Sequence, residues 1–275
     1  MKRIKKNKKT IVNYFSDAFI LIKKNPLYFF IPVLIDITFI FAFFFVYHFF
    51  LSKIMNNFFS LLMMTGNSIQ GIIEESPESV LLMHQMNSAI TTIIWWVIGL
   101  IISAYFIYSI FQSASWFFAG KIVHKKLMFW HYIKKFFAVH IIWHIAFILI
   151  SYFYVRSVLL TDIFKISSSL GYVRPISMFF IIILTYFSLI SYALIAEKGF
   201  RKSIKGCFVI GFKRFFILIC FFAVFAVIFL IIDILLRIIF LISDSAMLII
   251  GIIIIFPIIT YFRIVLISLI KDFSR

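Results

Sequence analysis

Apolar positions dominate six long stretches of the chain, at 27–51, 89–111, 136–155, 176–196, 216–242 and 246–270. Short polar segments separate them. A helix rising 1.5 Å per residue needs about 20 apolar residues to cross about 30 Å of hydrocarbon. Each stretch reaches that length. The apolar runs are continuous, whereas a membrane β-barrel alternates apolar and polar residues with period two. The pattern therefore predicts an all-α, polytopic membrane protein with six transmembrane helices. The second span is expected to continue as helix to about Val123. "SDSA" (243–246) supplies the turn between spans five and six.

Each odd-numbered span is approached in the same manner. "FILIKKNPLYFF", "WHYIKKFFAVH" and "FVIGFKRFFIL" run apolar, then a basic pair, then into the span. Amphipathic stretches lie upstream. In 10–24, Asn13, Asp17 and Lys24 share one helical face, and Ile11, Phe15, Ala18 and Ile22 another. In 198–215, Lys198, Arg201, Lys202 and Lys205 oppose Phe200, Ile204, Phe208 and Phe215. Three helical hairpins with amphipathic interfacial helices on the cytoplasmic side are the expected arrangement. The basic pairs Lys23/Lys24, Lys134/Lys135 and Lys213/Arg214 then sit at headgroup level and contact lipid.

Composition strengthens this reading. The chain is 64% hydrophobic and 13% charged, with mean hydropathy +1.12. A soluble fold of 275 residues cannot hide that much apolar surface. Of 27 Lys and Arg, 21 fall in the segments on one side of the predicted spans and four on the other. This asymmetry places both termini in the cytoplasm and the protein in the inner or plasma membrane. It divides the chain into a basic N-terminal region (1–26), a six-helix membrane domain (27–270) and a short tail (271–275). Anionic lipid headgroups on the cytoplasmic side are the expected partners, with a partner membrane protein as a further candidate. No basic soluble domain is present to bind nucleic acid.

The outer side carries two expected loops. The segment 52–88 includes Glu74, Glu75 and Glu78 around Pro77, and its part 56–64 is apolar enough to lie on the membrane. The second loop is 161–175. Cys207 is expected at the cytoplasmic surface and Cys220 within a span, which excludes a disulfide between them.

"DAFILIKKNPLYFFIPVLID" (17–36) and "AEKGFRKSIKGCFVIGFKRFF" (196–216) resemble a family of prokaryotic six-span membrane proteins similar to the membrane domain attached to some glycerophosphodiester phosphodiesterases. The resemblance implies topology. The metal-binding barrel of those enzymes has no counterpart in this chain, so the resemblance implies no such activity.

Few residues offer chemistry. Asp36 stands alone in an apolar span, about 13 Å from its start. An ionised carboxylate there costs at least about 2.5–3.5 kcal/mol unless protonated, paired or hydrated. His144 lies at similar depth, so an Asp36–His144 pair is one reading; a hydroxyl partner used only for packing is another. His140 and His144 share a helix face and form a candidate polar or metal site with Asp36. Asp233 and Arg237, four apart, read as a structural ion pair. Arg263, about two turns from the cytoplasmic end of span six, is expected to snorkel to the interface. Pro32 and Pro257 are expected to kink their spans. Small residues at 99/103, 109/113 and 115/119 predict close packing of span two.

The chain shows no Walker loop, G-x-S-x-G, H-E-x-x-H or cysteine ligand set. No enzymatic activity and no cofactor are expected. A scaffold or lipid-interacting component is the leading reading. A proton-coupled transporter using Asp36 and His144 is the alternative.

Overall fold

The computed structural model describes residues 10–68, 77–124, 126–158, 172–241 and 243–274. Eight helices account for almost all of these: α1 (Ile11–Lys24), α2 (Pro26–Ser68), α3 (Pro77–Val123), α4 (Phe129–Val158), α5 (Val173–Ile195), α6 (Phe200–Lys213), α7 (Phe215–Phe240) and α8 (Asp244–Ser274). Six of them are long and apolar enough to cross a membrane. The chain is thus an all-helical polytopic membrane protein. The N-terminal basic run 1–9, Glu74, Glu75 and most of the 161–175 loop lie outside the described residues.

Several boundaries differ from the sequence expectation. The 52–88 segment was expected to be a loop, yet α2 runs on to Ser68 and α3 already begins at Pro77. Polar residues there do not break the helix, because they bond back to it. Ser52 Oγ donates to the Phe49 carbonyl at 2.8 Å, Asn57 to Lys53 at 2.8 Å and Ser60 to Asn56 at 3.0 Å. Thr91 and Thr92 do the same at 2.8 Å to Asn87 and Ser88. Such i−3 and i−4 bonds satisfy the side chain within the helix itself. The second span continues as helix to Val123, as expected. Pro32 and Pro257 sit inside uninterrupted helices. Two of the three span approaches carry a separate amphipathic helix, α1 and α6. At the third, residues 129–135 are already the first turns of α4.

The fold comprises two compact units. One holds Thr38–Tyr108, the adjoining parts of α2 and α3. Its two arms are antiparallel, because the ring pairs step in opposite directions. Phe39 meets Tyr108 at 5.9 Å between centroids, and Phe50 meets Trp96 at 5.9 Å.

The other unit holds the remainder, and its core is the C-terminal half of α8. Ile264 to Ile267, Leu269 and Ile270 are essentially inaccessible. Helix α8 packs on α7, α5 and α1. Helix α4 lies along α5, and α6 against both. Helix α1 docks by Tyr261 Oη donating to the Phe15 carbonyl at 2.8 Å and by Phe15 stacking on Phe225 at 5.6 Å. The ends of α3, α5 and α8 meet at what we term the basic end. There Lys271 Nζ donates to the last carbonyl of α3, Val123, at 2.9 Å. Tyr14 Oη donates to Asp272 at 3.2 Å, and Ser274 Oγ donates to Glu197. Burial first, and then the Asp272 carboxylate, push the Tyr14 phenol up to about 12. It therefore stays a neutral donor at physiological pH.

Candidate functional site

The strongest concentration of buried polarity joins α2, α3 and α8. Asp36 lies ten residues after the start of α2, Gln112 eleven before the end of α3 and Arg263 eleven before the end of α8. At 1.5 Å per residue each stands about 15–17 Å from the basic end of its helix. That common depth lets the three side chains meet. Asp36 is 2% exposed, Gln112 and Arg263 6%, Ser115 0%.

Arg263 grips Asp36 with both terminal nitrogens. Nη1 pairs with Oδ2, and Nη2 donates to Oδ1 at 3.2 Å. Nη1 also donates to Ser115 Oγ, and Nη2 to Gln112 Oε1 at 2.7 Å. Gln112 Nε2 donates in turn to Asp36 Oδ1 at 3.2 Å. Gln112 thus offers oxygen to the cation and nitrogen to the anion, which fixes its amide orientation. The Trp116 ring stands 5.7 Å from the guanidinium carbon, within cation–π range. A charge buried in an apolar medium is tolerable when it is both paired and hydrogen-bonded. Here both conditions hold.

Two expectations are corrected by this geometry. Asp36 pairs with Arg263 and Gln112, not with His144. Arg263 does not snorkel: its head is buried and turned toward Asp36. The error came from the helix end. Span six was expected to stop at 270, leaving Arg263 two turns from water. Helix α8 continues to Ser274, because Lys271 and Asp272 find protein partners and need not unwind toward solvent. Gln112 was missed because the second span was ended one residue before it.

His140 and His144 belong to a different neighbourhood, between α4 and α5. His140 Nδ1 lies 2.8 Å from Tyr192 Oη. Trp143 Nε1 donates to Ser191 Oγ at 2.8 Å. The Phe136 ring stacks on Tyr192 at 4.6 Å, and the two imidazoles are 5.4 Å apart. Among the described residues, no three His, Cys, Asp or Glu side chains come together as a metal site. The Asp233–Arg237 pair forms as expected, at 2.8 Å, with both side chains largely exposed. Of the expected headgroup residues, Lys23 lies over the Phe19 ring at 4.7 Å and Arg214 over Phe273 at 5.2 Å. Lys24, Lys134 and Lys213 are exposed, and Lys135 is half-buried. Buried Ser109, Ser113, Ser115 and Ala119 confirm the close packing of the second half of α3.

Fold and site together define a multi-pass helical membrane protein with an internal charge cluster. No protein-family model matches the chain, and neither a curated protein nor a solved structure matches it.

Proposed function

We propose that this chain is a non-enzymatic membrane scaffold that engages anionic lipid, and a partner membrane protein, through its basic end. The observation that carries the reading is the saturated cluster around Asp36. Both carboxylate oxygens and both terminal guanidinium nitrogens have protein partners. A coupling carboxylate in a transporter must exchange its partner for a proton or a substrate. Asp36 is instead engaged as a tie among three helices. The charge asymmetry supports a cytoplasmic basic end in the inner or plasma membrane.

The test is native mass spectrometry of the protein released from mild detergent, with bound species identified. Retained anionic lipid or a stoichiometric subunit is the expected result. A bare chain, or one carrying a small polar metabolite whose flux is abolished in Asp36→Asn, would replace the scaffold reading with transport.

A further inference from the structure

Helix α6 carries a feature the basic-pair pattern does not reveal. A shallow open groove of about 550 Å³ runs along it, lined by Glu197, Lys198, Lys202, Lys205, Val209 and Ile210, with Gly199 and Gly206 between them. Lys202, Lys205 and Val209 follow i, i+3 and i+7, so they form one helical stripe, and Lys198 joins it from the bend just before the helix. The three lysines occupy its first half. Val209, 61% exposed, and Phe212, 69% exposed, continue it. The stripe therefore passes from cationic to apolar along the helix.

The lysines are uncompensated. Among the described residues none of the three ammonium groups has a hydrogen-bond or ion-pair partner. The one carboxylate of the groove, Glu197, is bonded to Ser274 and lies 3.9 Å from His124. Lys198 folds back over Gly206, where its Nζ would stand 3.8 Å from an added Cβ. Gly199, which precedes helix α6, offers no capping side chain. The first amides of the helix and the positive end of its dipole are left for another acceptor.

We propose that this groove is a specific site for one anionic phospholipid, its phosphate among Lys198, Lys202 and Lys205 and its proximal acyl chain along Val209 and Phe212. Charge complementarity selects the anion. The adjoining exposed apolar residues select a lipid over a soluble phosphate. The inference rests on the lipid-engaging reading above and assigns it a location different from the basic pairs.

The experiment uses the full-length protein in mild detergent, titrated with dioleoyl-phosphatidylglycerol or dioleoyl-phosphatidylcholine and read by native mass spectrometry. The wild type is expected to retain one phosphatidylglycerol preferentially. The triple variant Lys198→Gln/Lys202→Gln/Lys205→Gln should bind it at least about tenfold more weakly, since each lysine near a lipid surface contributes about 1 kcal/mol. A control removing the same charge at exposed positions outside the basic pairs, Lys53→Gln/Lys126→Gln/Arg156→Gln, should lose little. Val209→Ser, at an exposed position, should weaken lipid retention with all lysines intact. Equal losses in the two triple variants would overturn the site while leaving the lipid-engaging reading in place. No preference of the wild type for the anionic lipid would overturn both. Displacement of the lipid by glycerol 3-phosphate at matched concentration would show a headgroup site without an acyl groove, and would also overturn the proposal.

Discussion

Asp36 and Arg263 are each forbidden in hydrocarbon alone and stable there together. Removing one partner leaves an uncompensated buried charge, which costs about 3–5 kcal/mol. Arg263→Met is therefore expected to lower the thermal midpoint sharply in detergent. The double variant Asp36→Leu/Arg263→Met removes both charges and should recover much of that loss. A double variant as unstable as the single one would show that shape at this site matters more than charge. Arg263→Lys should also destabilise, since one ammonium cannot reach Asp36, Gln112 and Ser115 in the forked geometry of a guanidinium. Cys207 offers a second check. Burial pushes its thiol up to about 12, so almost no thiolate exists at pH 8. Maleimide should label it only after denaturation, and fast labelling of the folded protein at pH 8 would contradict the burial of this face of α6.

At the scale of elements, the apolar periodicity located every long helix but misplaced several ends. Continuous apolar runs are visible without knowing any neighbour. Ends depend on whether polar groups find protein partners, as Lys271 does at Val123 and Ser60 does at Asn56. The orientation of α6 shows the same limit. Its sequence pattern sets Phe200, Ile204 and Phe208 on the apolar face opposite the lysines. The buried face is instead Ser203, Cys207, Ile210 and Gly211, because small residues let α6 approach α5 closely. A Cβ at Gly211 would stand 2.7 Å from Phe187 Cε1, and Tyr186 Oη donates to the Gly211 carbonyl at 2.9 Å. Gly211→Val should therefore push the helices apart, destabilise by about 1–3 kcal/mol and open Cys207 to maleimide in the folded state. Unchanged stability with Cys207 still protected would mean that Phe187 simply rotates away. Helices α2 and α3, at 43 and 47 residues, are about 65 and 70 Å long. Each is about twice what one crossing of the hydrocarbon needs.

For the whole molecule, the distribution of Lys and Arg predicts that the ends of α3, α5 and α8 face the cytoplasm. A cysteine introduced at Lys202 should react with a membrane-impermeant maleimide only after the cells are opened. Labelling of intact cells would invert the topology. The sequence by itself determined the class of protein, the number of spans and the side toward which charge collects. These follow from transfer of side chains between water and lipid, which each segment undergoes without reference to the others. It also determined the Asp233–Arg237 pair, because one helical turn brings those residues together. Only the tertiary structure decided that Asp36 belongs to Arg263 and that Gln112 and Ser115 complete the clamp. Those relations join helices separated by many residues in the chain. Their register follows from close packing along whole faces, which no single segment contains.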